Sequence, residues 1–289
     1  EQRGFPEREH LPGGTGRRPW GAIMTTAAVA GGAARRSRIT AITSGKGGVG
    51  KTFVAANLAA ALARQGQRVL VLDADLGLAN LDVVLNLFPK ITLHDVFTGR
   101  CPLDDAILPA PGGFSVLLAG SGMVEYSRMT PEVRDQLQKV IDQVAPRFDH
   151  VLLDTGAGIS DVVLYTVSLA DEVLVVATPE PTSMTDAYAT IKVLATTQGR
   201  RSIHLLVNQT RKPSEGRSVR IQLQQVVDRY VSPGLGEAVQ LDLVGEIPSD
   251  PAVRECVQRR QLLLHSLPGA PAAIAMVAVA TRMVGAVAA

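Results

Sequence analysis

The chain has little of what several kinds of site require. It holds two cysteines, Cys101 and Cys256, in 289 residues. They are far apart and belong to no C-x-x-C or Cys/His spacing, which argues against a zinc site, an iron–sulfur ligand set or a disulfide framework. Both read as ordinary thiols in a reducing compartment. The net charge is only +2, so a globally basic surface for nucleic acid is absent, although a local patch is not excluded. No tyrosine follows Tyr230, so a tyrosine-cluster tail is missing. No internal repeat appears, and low-complexity sequence is confined to the start.

Residues 1–37 are rich in Gly, Pro and Arg without apolar periodicity, and read as a disordered arm. Arg17 and Arg18 ahead of a mildly apolar run imitate a twin-arginine signal, but the run is Ala, Gly and Thr rather than firmly apolar. Met24 is an alternative start. The last segment, Pro271 to Ala289, is apolar almost all round and carries Arg282 inside it. As a membrane span it is marginal in length and too rich in alanine. Two readings remain, a last helix packed on a sheet and a helix lying on a membrane surface. The single Arg282 speaks for the first, since surface helices carry several basic residues.

From Arg38 onward, short β-branched runs ("RITAITS", "RVLVLDAD", "FSVLLAG", "FDHVLLDT", "EVLVVATPE", "SIHLLVNQ", "LDLVGEIP") alternate with helical patterns near 130–146, 160–170, 183–198 and 217–231. Fully apolar strands flanked by helices mark a parallel sheet covered on both faces, so the fold class is a doubly wound α/β sheet with right-handed crossovers. The division is an arm over 1–37, a nucleotide-binding domain over 38–270 and an apolar helix over 271–289. The segment "TPEPTSMTDAYATIK" reads as a turn followed by a helix capped by Thr182 or Ser183.

"GKGGVGKT", Gly45 to Thr52, satisfies G-x-x-x-x-G-K-(S/T) between a predicted strand and a predicted helix. Gly45, Gly47, Gly48, Val49 and Gly50 would turn backbone N–H groups toward phosphates. Lys51 would reach the β- and γ-phosphates, and the Thr52 hydroxyl would ligate Mg²⁺. Lys46 is a second lysine that such a loop does not need. A cation there cannot easily reach its own loop's nucleotide, because the loop curls away beneath it, but it can reach across to a second subunit. Asp73 and Asp75 end one strand and Asp154 ends another, where ligands of doubly wound sheets bind. Asp154 has the place of a Walker B aspartate that meets Mg²⁺ through water. Gly156 and Gly158 give that loop the backbone freedom of a switch. Asn208, after another strand, is either a partner for the donor and acceptor of adenine or a turn former.

"GKGGVGKT" resembles the deviant Walker A of the MinD/ParA class of P-loop ATPases. Three further segments, "DADLGLANLDVVLNL", "LLDTGAGISDVVL" and "TPEPTSMTDAYATIKVL", resemble its FlhG branch, also called FleN or YlxH, over roughly Arg38 to Val284. The resemblance implies ATP and Mg²⁺ as ligands, ADP as product and a face-to-face homodimer in which Lys46 contacts the partner's nucleotide. It implies that Asp75 orients the attacking water, Asp73 supports the Mg²⁺ shell and Asn80 responds to the γ-phosphate. Pro248 and Asp250 fall in the family's adenine-binding loop. It also implies a slow ATPase switch that sets the number and placement of flagella. Its partners would be a flagellar transcription activator, an FlhF-type GTPase and switch-complex proteins, in the cytoplasm or peripherally at the membrane or pole.

Two features depart from that pattern. Residues 1–37 hold no DQAxxLR-like element, so stimulation of the GTPase is not implied. The last segment also has little of the basic character of membrane-cycling members. A DNA-partition ATPase and a division-site selector are the competing readings. The first would need Arg200, Arg201, Arg211, Lys212, Arg217 and Arg220 as its basic face, and DNA is the less favoured partner.

Overall fold

Each of the seven apolar runs forms a strand in the computed structural model, which describes residues 37–76, 80–120 and 129–285. The arm, except Ser37, lies outside the described residues. The strands are β1 (Arg38–Ser44), β2 (Val69–Ala74), β3 (Ile107–Pro109), β4 (Ser115–Leu117), β5 (His150–Ala157), β6 (Glu172–Ala177), β7 (Ser202–Thr210) and β8 (Gln240–Pro248). They form one sheet in the order β3-β4-β2-β5-β1-β6-β7-β8. All pairs are parallel except β3 with β4. The unforeseen strand is β3, whose three residues are too few to display an alternation.

The helices are α1 (Lys51–Arg64), α2 (Leu81–Leu85), α3 (Leu93–Phe97), α4 (Leu103–Ala106), α5 (Pro131–Val144), α6 (Asp161–Ser168), α7 (Pro181–Thr197), α8 (Glu215–Tyr230), α9 (Ser232–Leu235), α10 (Pro251–Gln258), α11 (Leu263–Ser266) and α12 (Pro271–Gly285). Side chains alternate along each strand, and so feed two cores. On one face Leu70, Leu72, Val151, Leu153, Val173 and Val175 meet α5, α6, α7 and α8. On the other, Val69, Val71, Leu152, Leu174 and Val176 meet α1, α2, α11 and α12. This double burial is why the strands read as unbroken apolar runs rather than as alternating ones.

The sheet order positions the site. β1 pairs with β5 on one side and β6 on the other, so the chain leaving β1 emerges where neighbouring strands depart to opposite sides, the crevice that binds ligands in open α/β sheets.

The structure bears on two expectations about helices. α7 begins at Pro181 with Glu180 in the capping position and no side-chain cap, so Thr182 and Ser183 lie inside the helix instead of capping it. Ser183 serves the turn differently: its buried hydroxyl accepts from Thr178 N at 2.9 Å. Pro181 explains the earlier start, since its fixed φ suits the first helical position, where no N–H is needed. α12 takes the packed reading, with Ala272, Ala273, Met276, Val279, Ala280 and Met283 buried. Among the described residues no helix is long and apolar enough to cross a membrane. Met276 is fully buried, so Met276→Ala should lower unfolding free energy by about 2–4 kcal/mol in urea titration. A loss below about 0.5 kcal/mol would contradict the packing of α12.

Candidate functional site

The loop after β1 is shaped by tertiary contact as much as by backbone freedom. Gly48 and Gly50 have φ of 79° and 96°, a region that glycine enters without cost. Gly45 has another reason to be glycine, for a Cβ there would run into the backbone carbonyl of Asp186 in α7. Beneath Gly50 lies Asn208, whose Nδ2 donates to the Val49 carbonyl at 2.8 Å while its Oδ1 accepts from Gln209 N at 2.9 Å. Asn208 is therefore a strut from β7 to the loop, a role with no signal in the local sequence, and one amide hydrogen remains for a further acceptor. Gln209 is held at φ 59° beside it.

The loop opens on a cavity of about 700 Å³ lined by Gly47, Gly48, Gly50, Lys51, Thr52, Asp75, Asn80 and Gly156, with Phe53, Thr155 and Ser160 as members the motifs did not flag. Ser160 caps α6, accepting from Val163 N at 3.5 Å. Lys51 is buried and donates to the Ser44 hydroxyl at 2.9 Å. Burial lowers its pKa from the ordinary lysine value, against the pull of Asp154 and Asp75. Gly156 passes so close to Asp75 that a Cβ would lie 3.4 Å from Oδ1.

Asp73 and Asp154 are register partners across β2 and β5, and both are buried. Asp73 lies behind the cavity: Oδ1 accepts from Asp75 N and Oδ2 from Leu81 N, each at 3.3 Å, which ties the carboxylate to the start of α2. Asn80 occupies the capping position of that helix. Burial, then the charge of Asp154, pushes the Asp73 carboxyl well above the usual range. Burial raises Asp154 to about 7, opposed by the Thr52 hydroxyl and by Lys51.

Phosphates and a divalent cation fit these residues. Asp154 Oδ1 is a buried acceptor with no hydrogen-bond partner among the described residues. Space at Gly47 and Gly48 is open. Thr52, Asp154 and, one layer back, Asp73 offer the hard oxygen donors that Mg²⁺ prefers.

The remaining expected residues are placed elsewhere. Pro248 ends β8 and does not line the cavity. Asp250 caps α10, with Oδ1 accepting from Ala252 N at 2.9 Å and Oδ2 from Ala272 N at 3.1 Å, so it joins α10 to α12. Lys46 also lies outside the cavity lining. Its Nζ donates to Glu180 Oε2 at 3.1 Å and Thr182 Oγ1 at 2.9 Å, at the start of α7 in the same chain.

The raised Asp154 carboxyl gives a pH dependence with a definite sign. Between its unfolded value near 3.8 and its folded value of about 7, the folded protein keeps a proton that the unfolded chain has shed. Stability in that window therefore falls as pH rises, by a few kcal/mol, and Asp73 pushes the same way. Asp154→Asn should flatten the decline between pH 4 and 7 without abolishing it, measured as urea midpoints of nucleotide-free protein. Parallel curves for the two proteins would show that Asp154 is not the titrating group.

Comparison with known proteins agrees with this geometry. The ParA family model, described as NUBPL iron-transfer P-loop NTPase, matches residues 35–284. The antiactivator FleN of Pseudomonas aeruginosa is 44% identical over 246 residues, 85% of this chain and 86% of that one. The flagellum site-determining protein YlxH of Helicobacter pylori is 31% identical over 80% of this chain and 76% of its own. The septum site-determining protein MinD of Pyrococcus horikoshii, solved with Mg-ADP, superposes with a TM-score of 0.71 at 29% identity, covering 88% of this chain and 99% of that one. A β1–α1 phosphate loop, paired strand-end aspartates and these matches together place the chain in the ParA family of P-loop NTPases, in its MinD-like branch with FleN.

Proposed function

We propose that this protein is an ATP-driven dimerisation switch in flagellar regulation, restraining a flagellar transcription activator in its ATP-bound form and so setting flagellar number and placement. Likeness to FleN and YlxH supports the flagellar setting. The observation that carries the switch is Lys46, a half-exposed cation outside its own nucleotide cavity, held by two exposed polar side chains. Such an exposed pair contributes at most about 1 kcal/mol, so it yields readily to a phosphate of a facing subunit.

In this reading the backbone of Gly45 to Gly50 cradles the phosphates and Lys51 exchanges the Ser44 hydroxyl for a phosphate oxygen. Thr52 and Asp154 hold Mg²⁺, which neutralises phosphate charge when bound, with Asp73 supporting from behind. Asp75 orients the attacking water, Asn80 and Gly156 register the γ-phosphate, and hydrolysis ends the dimer. Asn208 uses its remaining amide hydrogen toward the base, in a loop that Pro248 and Asp250 complete. An FlhF-type GTPase and switch-complex proteins are further partners by the same likeness.

The competing readings gain less support. Of the basic run a DNA-partition ATPase would need, Arg200 spends its guanidinium on the carbonyls of Val167, Ala170 and Asp171, and Arg201 pairs with Glu237 and the Ala195 carbonyl. For membrane cycling through the last helix, α12 offers Ile274 and Val277 as its exposed large apolar side chains among the described residues.

Light scattering tests the switch. Wild type should double its molar mass with ATP and not with ADP. Asp75→Ala should hold the dimer longer, because the phosphate cradle is intact while water activation is gone, and Lys46→Ala should bind nucleotide yet stay monomeric. Dimerisation of Lys46→Ala equal to wild type would refute the role given to Lys46.

A further inference from the structure

Away from the nucleotide cavity, a cleft of about 570 Å³ lies where α8, the edge strand β8 and α12 meet. Arg217 and Arg220, from successive turns of α8, and Arg282 of α12 line it. Since α8 packs on one face of the sheet and α12 on the other, these arginines bracket its edge from both sides.

Three arginines, Arg217, Arg220 and Arg282, face two carboxylates, Asp242 and Glu246, across the cleft, a surplus of one positive charge. Glu246 lines it, but both carboxylate oxygens are taken by backbone donors, Ser214 N at 2.9 Å and Gly216 N at 2.7 Å. Asp242 accepts from the Ser202 hydroxyl at 3.0 Å. Arg282 commits one nitrogen to the Val244 carbonyl at 2.8 Å. The side chains of Arg217 and Arg220, both within α8, make no hydrogen bond or ion pair among the described residues. Ile221, one turn on from Arg217, is 40% exposed, and Leu243 contributes an apolar wall.

Strand addition is not how this edge would be used. Gln224 accepts from Leu241 N at 2.9 Å and donates to the Val239 carbonyl at 2.7 Å, Arg282 covers Val244, and the register of β8 shifts between Leu243 and Gly245. Side chains thus occupy three of the backbone groups along this edge and the bulge interrupts its register, which disfavours a new strand there. What remains available is a recess of guanidinium forks with an apolar margin.

We propose that this cleft docks an acidic segment of a partner protein, with its carboxylates on Arg217, Arg220 and Arg282 and an apolar side chain against Ile221 and Leu243. Guanidinium forks match carboxylates two bonds at a time, a geometry lysine does not offer. Nucleic acid suits the cleft less well. Asp242 and Glu246 stand among the arginines, and a duplex presents closely spaced phosphates that cannot avoid them, whereas a peptide can place its carboxylates singly. The proposal is independent of the nucleotide switch, because none of these residues lines the nucleotide cavity.

The test uses the full chain and a fluorescent peptide alternating Asp and Leu, with a Lys–Leu peptide and a short DNA duplex as comparators, read by anisotropy at low salt. The expected result is saturable binding of the acidic peptide alone, weakened about tenfold or more in Arg217→Glu/Arg220→Glu. ATP turnover and melting temperature should be unchanged in that variant. Arg217→Ala, at an exposed position, should give a smaller loss in the same direction and serves if the double variant is unstable. Acidic-peptide binding that ignores both substitutions, absence of binding, or tighter binding of the duplex would each overturn the assignment.

Discussion

Two carboxylates placed side by side in a dry layer are the constraint from which most of the site follows. Parallel pairing of β2 with β5 sets Asp73 opposite Asp154, and both are buried. Neither can be left charged at low cost without a cation or donors close by. Lys51 supplies one positive charge and backbone amides satisfy Asp73, while Asp154 Oδ1 has no hydrogen-bond partner among the described residues. In the absence of a divalent ion a proton is the natural compensation, and this is the physical content of the raised carboxyl at Asp154. Because Asp73 holds Leu81 N and Asp75 N, the charge state of the pair is mechanically connected to the start of α2 and to the residue beside the cavity.

The phosphate loop is held from its other side by elements distant in sequence. α7 presses its backbone against Gly45, and β7 reaches the loop through Asn208 under Gly50. The Ser44 hydroxyl accepts from Lys51 and donates to the Lys46 carbonyl at 2.8 Å, so the two lysines share one small polar hub. A ligand that draws Lys51 away must also disturb the neighbour of Lys46, whose side chain rests on Glu180 and Thr182. The loop, the start of α7 and the end of β7 are thus joined by direct side-chain and backbone contacts.

What could be read in advance had a local cause. The buried parallel strands appear as apolar runs because both faces are covered, and the loop appears as a motif because the backbone path itself demands its glycines. Missed features depend on meetings between distant residues. Asn208 meets Val49 across 159 positions, and Lys46 meets Glu180 across 134. The carboxylate of Asp250 likewise joins two helix starts, one of them 22 positions on. At α7, Thr182 and Ser183 are good capping types, but Pro181 outweighs them by starting the helix earlier.

The last helix shows why hydropathy alone could not separate membrane surface from core. α1 is itself buried over most of its circumference, from Phe53 through Leu62, because it is covered by the sheet on one side and by α12 on the other. A helix that shields such a neighbour needs small residues to approach it closely, and α12 buries Ala272, Ala273 and Ala280 in the core it shares with α1. Alanine lowers the apparent hydrophobicity while raising the achievable packing density. Arg282 then has a structural use, since its guanidinium covers the Val244 carbonyl at the bulged edge of β8. The residue that made the segment look wrong for a membrane is thus one of those that close the sheet, and pulling α12 into a bilayer would uncover α1 and that edge together.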